Sequence, residues 1–143
     1  MMVADVIARL KAKVPDLGGR VEGAAALAAL MKSGGVPQQA LVAHVLTTGI
    51  QGGEAIPLTG IYRQATSRLI SVVLTINTGH AQGGRAAEAM EPLIDAVIAG
   101  LVGWQPPDNF GQFVLRRAQL LSAAGGVFSY EITFAVEQEV RII

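Results

Sequence analysis

The clearest structural signal in the chain is the stretch FSYEITFAVE at residues 128–137, in which apolar side chains occupy every second position from Phe128 to Val136. Such alternation is typical of a β-strand with one buried face. A second strand is predicted over Phe113–Leu121, and Gly125-Gly126 between the two predicts a tight turn. The chain is therefore expected to end in a β-hairpin.

An equally extended segment runs from Tyr62 to Asn77 and divides into two halves. In its second half every other residue from Ile70 to Ile76 is apolar, whereas the same positions in the first half are Gln64, Thr66 and Arg68. One face of a strand cannot be buried where its side chains are polar. We expect the first half to leave the core and to project as a ribbon.

Helical spacing appears in three places. An amphipathic helix is predicted from Val3 to Val14, ahead of Pro15, and a second, alanine-rich helix over Ala24–Lys32. The main helix is predicted over Arg85–Val102, with Pro92 causing a kink or marking where its regular part begins.

Shorter extended pieces complete the prediction. Arg20–Glu22 predicts a brief strand and Leu41–Thr47 a mostly apolar one, while the Gly, Pro and Thr residues of Gly49–Gly60 predict a long irregular loop. The fold class is α+β: a mainly antiparallel sheet with the long helix and the N-terminal helix packed on one face, and a projecting hairpin or loop.

Composition restricts the possible functions. The chain has 143 residues, enough for one domain, which we expect to span 1–143. Apolar residues make up 51% and charged residues 15%, so part of the apolar surface is expected to contact another chain. Eleven basic residues balance eleven acidic ones, which argues against binding to nucleic acid or anionic lipid by net charge. No stretch is apolar enough to predict a membrane span or a signal peptide, so we expect synthesis and use inside a cell.

Catalytic, metal and cofactor motifs are weak. The chain has no cysteine, and neither His44 nor His80 lies in a nucleophile motif. Glu88, Glu91 and Asp95 are interpreted as a solvated helix face, and the glycine-rich segment 77–85 lacks the P-loop pattern. We predict no catalytic residue, no metal and no cofactor, and therefore no enzyme.

Several charged side chains fall on predicted strands. Arg63, Arg68, Arg116 and Arg117 could pair with carboxylates such as Glu131, Glu137 and Glu139 of a neighbouring subunit, or form isolated surface pairs of little energetic weight. Trp104, directly after the main helix, is predicted to cap the core.

The order of elements resembles one known family. The features that match are the opening helix leading into Asp16–Ala24, the extended Tyr62-Arg63-Gln64 stretch, the helix from Pro92 to Trp104, and the terminal segment from Gly126 to Phe134. With these features the whole chain resembles the phage tail terminator proteins.

That resemblance implies a structural protein of the virion tail and neck, assembled in the host cytoplasm. Its partners would be copies of itself in a ring, expected to be hexameric, together with the tail tube protein and a head–tail connector. The ring would stop tail polymerisation, and DNA would pass through its lumen without being retained. The candidate interface residues lie in the loop, in the polar half-strand, and on the terminal hairpin: Gln51, Glu54, Ile56, Leu58, Tyr62, Arg63, Gln64, Arg68, Arg116, Arg117, Glu137, Glu139 and Arg141.

Two alternatives remain open on the sequence alone. One is another head–tail connector or tail-completion protein, which would use the same ring principle in a different layer. The other is a small ligand-binding α+β domain, which only the glycine-rich segment before the main helix favours.

Overall fold

The computed structural model describes residues 2–37, 40–79, 88, 90–107, 109 and 111–142, with residues 57, 58 and 124 described by their backbone alone. The helices are α1 (Met2–Lys13), α2 (Ala24–Lys32) and α3 (Met90–Leu101), with a 3-10 turn at Pro15–Leu17. The strands are β1 (Val21–Glu22), β2 (Leu41–Leu58), β3 (Ile61–Asn77), β4 (Phe113–Ala124) and β5 (Val127–Ile142).

The five strands form one sheet in the order β1-β2-β3-β5-β4. The two-residue β1 pairs in parallel with β2, and all other neighbours are antiparallel. β3 and β5 pair along almost their whole length, from Tyr62 opposite Ile142 to Asn77 opposite Val127. The predicted α+β class with a mainly antiparallel sheet is therefore confirmed.

Two tight hairpins join the long strands. Leu58 pairs with Ile61 across a two-residue turn, and Ala124 pairs with Val127 across Gly125-Gly126. Both of these glycines have positive φ, 64° and 78°, a conformation that only glycine adopts without strain and that tight hairpin turns require. The predicted terminal hairpin is confirmed.

The two outer long strands are each interrupted by bulges. In β2 the register shifts between Thr47 and Gly49 and again between Gly52 and Ala55, and in β4 between Leu115 and Arg117 and between Leu120 and Ser122. At each shift one strand has an extra residue relative to its partner, which bends the strand and interrupts the ladder.

One face of the sheet, here the helix face, holds the core. Side chains at alternate positions of β3, from Ile70 to Ile76, are fully buried against α1 and α3 together with Phe113 and Phe134. The sheet's other face, here the second face, has Ser71, Val73 and Thr75 at the intervening positions. The prediction that α1 and α3 pack on a single face is confirmed.

Trp104 closes the core at the end of α3, as predicted. Its ring lies 5.3 Å from the ring of Phe113, which in turn lies 5.9 Å from that of Phe134. The Arg9 guanidinium lies 5.1 Å from the centre of the indole, and its Nε donates to the Gly100 carbonyl at 2.8 Å. This arginine therefore holds α1 against the end of α3.

One sequence prediction needs correction. The irregular loop expected over Gly49–Gly60 is instead the second half of β2, which continues as a strand to Leu58. The bulges explain the error, because Gly49, Gly52 and Gly53 lie at or beside the register shifts rather than in a loop. The predicted main helix is described over Met90–Leu101, with Pro92 among its first described residues; residues 85–87 and 89 of the predicted span lie outside the described residues.

Candidate assembly surfaces

Both sides of the sheet end in a free strand edge. β1 covers β2 only at Ala43 and His44, so the rest of the outer edge of β2, as far as Leu58, has no strand beside it among the described residues. β4 pairs with β5 on one side and with no described strand on the other. Free edges present unpaired backbone donors and acceptors and can pair with another chain.

The predicted ribbon has three strands rather than two. The outer halves of β2 (49–58) and β3 (61–69) are joined by the C-terminal half of β5 (136–142), and we call these three segments the arm. Apart from Val136, the described side chains of the arm are partly or fully exposed, in contrast to the buried segments 41–45 and 70–76. The arm therefore lies outside the helix-covered core.

The candidate residues predicted from the sequence divide between the arm and β4. Gln51, Glu54 and Ile56 are exposed on β2, where Ile56 is 53% exposed; Leu58 ends that strand. Tyr62, Arg63, Gln64 and Arg68 lie on β3, and Glu137, Glu139 and Arg141 on β5. The exposed Arg116 and Arg117 lie on β4, apart from the arm.

Side-chain contacts bind the three strands of the arm together. The Tyr62 hydroxyl donates to Gln64 Oε1 at 3.0 Å, and Gln64 Nε2 donates to the Gly53 carbonyl at 3.1 Å. Arg63 Nε lies 4.0 Å from Glu139 Oε1, with both side chains about two-fifths exposed. A pair this exposed adds little to the free energy of unfolding, so its main effect is to orient the two side chains on the surface of the arm.

A polar hollow of about 380 Å³ lies where the arm meets the start of α1. Arg68 Nε donates to Gln138 Oε1 at 2.9 Å, and Gln138 Nε2 donates to Asn109 Oδ1 at 3.3 Å. Asn109 Nδ2 lies 3.3 Å from the Glu137 carbonyl. Arg68 is therefore part of the connection between the arm and the segment before β4, and it lies on the helix face.

Arg116 and Arg117 both extend from the second face. The bulge between Leu115 and Arg117 places consecutive arginines on one side, and both line a hollow with Thr48, Ser71 and Thr133. The three hydroxyls form a row: Thr48 Oγ1 lies 3.1 Å from Ser71 Oγ, which lies 3.1 Å from Thr133 Oγ1. These three hydroxyls therefore satisfy one another by hydrogen bonds.

His44 lies on the second face beneath α2. Its side chain is 2% exposed, Nε2 is 3.7 Å from Glu22 Oε2, and Nδ1 has no hydrogen-bond partner among the described residues. Burial lowers the pKa of His44 below its usual value of 6.5, and the nearby Glu22 carboxylate partly opposes that shift. A hollow of about 480 Å³ lined by α2 and Val42 adjoins it. His44 is therefore a packed histidine within a strand.

Sequence reasoning missed a group of exposed apolar residues on the free edges. Val114 is 57% exposed, Leu120 53% and Leu121 50%, all on β4, and Ile50 on β2 is 55% exposed. The available signal was the segment VLRRAQLL, which does not alternate as a half-buried strand should. Its irregularity comes from the bulges of an edge strand.

The described residues contain no group of three or more His, Asp or Glu side chains that could hold a metal ion. Helices long and apolar enough to cross a membrane are likewise absent from the described part of the chain. His80 and residues 81–85 of the glycine-rich segment lie outside the described residues.

Comparison with known proteins identifies the family. The model of the family "Phage tail terminator protein" matches residues 1–143. The chain belongs to the phage tail terminator family. Among solved structures, it is similar to a chain of the virion of a native gene transfer agent particle, with 19% sequence identity and a TM-score of 0.55. That match covers 97% of this chain and 95% of the other, and it shows a shared fold. No curated protein matches the sequence.

Membership confirms the resemblance seen in the sequence. The protein is a structural component of the phage tail and is located in the virion tail. The candidate residues stay predicted contacts of that assembly, and the free edges on the two sides of the described sheet are places where another chain can pair.

Proposed function

We propose that this tail terminator acts as a single domain that closes with copies of itself into a ring, a hexamer on the family expectation, and caps the end of the tail tube. Capping stops tail polymerisation, and the other side of the ring joins the head–tail connector. The observation that carries the proposal is the pair of unlike free edges, one on the arm and one on β4.

Unlike edges favour a ring for a geometric reason. When a surface binds a different surface of the next copy, the contacts repeat in one direction and end only if the rotation closes. A closed ring leaves neither edge free, and a ring that binds the tube by one side need not offer a second tube-like side. Growth then stops without any chemical step.

The core determines which side of the sheet can line the lumen. α1 and α3 cover the helix face, and α2 covers the part of the second face that holds His44, so the rest of the second face is the surface that can surround a channel when the sheets close edge to edge. On that face the arginines and glutamates of β4 and β5 are mixed in sign. Mixed charge fits passage of DNA without retention.

The test is to remove the protein from assembling particles and measure tail lengths by electron microscopy. We expect tails of variable and excessive length without it, and uniform tails when it is restored. Uniform, correct tails in its absence would contradict the proposal. Mass measurement over a concentration series then shows whether rings form in solution or only on the tube.

The second candidate, a connector in another layer, shares the ring and differs in its neighbours. The exposed arm is compatible with both roles. Co-purification with tail-tube protein supports the terminator role, whereas co-purification with portal-side proteins alone supports the connector role.

A further inference from the structure

We propose that the free edge of β4 in one copy pairs antiparallel with residues 50–56 of β2 in the next copy, with Arg116 opposite Glu54. This inference rests on the ring of the proposed function and identifies the interface that closes it. The partner of each edge is another copy of this chain.

Strand direction determines how the edges meet. β2, β3, β5 and β4 are successive antiparallel neighbours, so β4 runs opposite to β2. A rotation about an axis on one side of the sheet, roughly along its strands, preserves the upward or downward sense of every strand. The β4 edge therefore meets the β2 edge of the next copy antiparallel, and their sequences must be compatible when read in opposite directions.

Read in opposite directions, the two edges have the same apolar–charged–apolar spacing. Glu54 lies four residues after Ile50 and two before Ile56. On β4, Arg116 lies four residues before Leu120 and two after Val114. Placing Glu54 opposite Arg116 therefore also places Ile50 opposite Leu120 and Ile56 opposite Val114. Opposite charges and apolar pairs at facing positions both favour strand pairing.

The faces agree at every one of these positions. Ile50 pairs with Arg68 and Leu120 with Tyr130, and both partners share the helix-face alternation of Ile70 and Ile132. Rotation in a ring keeps the second faces of all copies on the same side, so facing residues must share a face. These two do.

The charged pair and the second apolar pair lie on the other face. Glu54 adjoins Ala55, which points to the helix face, so its own side chain points to the second face, as those of Arg116 and Arg117 do. Ile56 and Val114, opposite Arg63 and Ala135 within their own sheets, also lie on the second face.

The bulges match as well. Gly53 and Glu54 together oppose the single residue Ala65, and Arg116 is the extra residue of β4 between Leu115 and Arg117. A bulged edge resists pairing with a regular strand. When the bulges of two paired edges lie at the same height, each strand has one extra residue there and the register on either side is kept. Gly53, which has no side chain, leaves space for Arg117 opposite it.

The register is compatible with a closed ring. Within one copy, Leu120 pairs with Tyr130, Tyr130 with Leu74, and Leu74 with Ala43, so Leu120 and Ala43 lie at the same height along the strands. Ile50 of the next copy, placed opposite Leu120, therefore lies at the height of Ala43 in the first copy. Allowing for the bulge at Thr48, this is a shift of about 20 Å over four strand spacings of about 19 Å in total. The strands would tilt by about 45° from the ring axis, close to the range that closed barrels adopt.

The side chains concerned are available for this contact. Ile50, Ile56, Val114 and Leu120 are 53–57% exposed. Within the described part of the chain, Glu54, Arg116 and Arg117 form no ion pair. Closing the edges would bury the four apolar side chains and pair the charges.

Cysteine cross-linking tests the register directly, because the chain has no cysteine of its own. We expect Ile56→Cys with Val114→Cys to form, on oxidation of assembled rings or tails, a ladder of covalent oligomers that ends at the ring size. The two positions are several residue levels apart within one copy, so the bond must join two copies. The matched control is Ile56→Cys with Leu115→Cys, whose second site points to the other face; we expect about tenfold less cross-linking.

Charge exchange tests the pair itself. We expect Glu54→Arg and Arg116→Glu each to raise the concentration for half-maximal ring assembly about tenfold, and the double variant to return it to within about twofold of the original protein. Glu91→Arg, an exposed change on α3, controls for net charge and should leave assembly unchanged.

The outcomes separate this inference from the proposed function. Rings of normal size in which the 56–114 pair does not cross-link, or in which it cross-links no better than the 56–115 control, would overturn the register and leave the ring intact. A double charge variant that assembles worse than both single variants would do the same. Absence of rings in solution and on tails, with normal tail lengths, would overturn both.

Discussion

At the level of single residues, the most unusual environment belongs to His44. Its imidazole is buried beneath α2, and one ring nitrogen has no partner among the described residues. Burial penalises the charged form and lowers the pKa of His44, while Glu22 opposes the shift only in part. The folded state therefore binds a proton at this site less readily than the unfolded chain does.

That difference predicts a pH dependence of stability. The unfolded histidine takes up a proton near its ordinary pKa of 6.5, so the free energy of unfolding should be highest above that pH. It should fall as the pH drops from there to the lowered pKa of the folded state. Urea denaturation at pH 7.5 and 5.0 measures the change. His44→Gln should reduce the difference between the two pH values; an equal difference in the variant would show that His44 is not its source.

Gly111 occupies a second restrictive position. A β-carbon there would lie 3.0 Å from the Glu137 backbone nitrogen and still closer to its carbonyl oxygen. Gly111→Ala should therefore push the segment before β4 away from β5 and cost about 1–3 kcal/mol of unfolding free energy. Gly49→Ala is the matched control, because its β-carbon would meet Leu69 at an ordinary 3.6 Å. Equal denaturation midpoints for the two variants would contradict this assignment.

At the level of elements, the sequence predicts the helices and strands that have a regular spacing of apolar residues. It fails where pairing with a neighbouring strand extends a segment that lacks such spacing. α2 follows from its helix-forming residues, and β5 follows from the strict alternation between Phe128 and Val136. The second half of β2 could not be predicted, because three glycines and Pro57 read as a loop. β3 was the available clue, since its extended polar half could pair with a neighbouring strand on either side.

The proposed assembly surface could likewise be predicted only in part from the sequence. The sequence indicated Glu54, Ile56 and the two arginines of β4 as candidates but could not show that they lie on opposite edges of one sheet. The sequence predicts Leu120 and Val114 only as members of a strand and gives neither a place on its surface. Only the register and the bulges distinguish an apolar edge from an apolar core.

Shortening the arm should separate assembly from folding. Replacing residues 53–65 by Asn-Gly would close the hairpin at the existing pair Gly52–Thr66 with a favoured two-residue turn. Every core residue that the structure describes as buried lies outside the deleted segment, so the melting temperature should change by only a few degrees, whereas ring formation should be lost. Calorimetry and mass measurement test the two parts. Rings of unchanged size would show that the arm is dispensable.

At the level of the whole molecule, folding and assembly use different regions. The core lies between the inner halves of the long strands and the two helices that cover them, and it would remain intact in an isolated copy. The arm and the β4 edge contribute little to that core. A protein divided in this way can stay folded before its edges bind a partner, which fits the proposed role of a subunit that closes into a ring on the finished tube.

The division also predicts how a defective copy affects a mixture. A subunit with the shortened arm keeps its β4 edge, so it can bind one neighbour but cannot complete the circle. In an equal mixture with the original protein, a six-membered ring free of defective copies would form with a probability of about 1 in 64, instead of the one-half expected if each copy acted alone. Co-expression during particle assembly, followed by counting tails of correct length, measures the effect. A loss that follows the share of defective protein in simple proportion would mean that copies cap the tube independently and that no closed ring is needed.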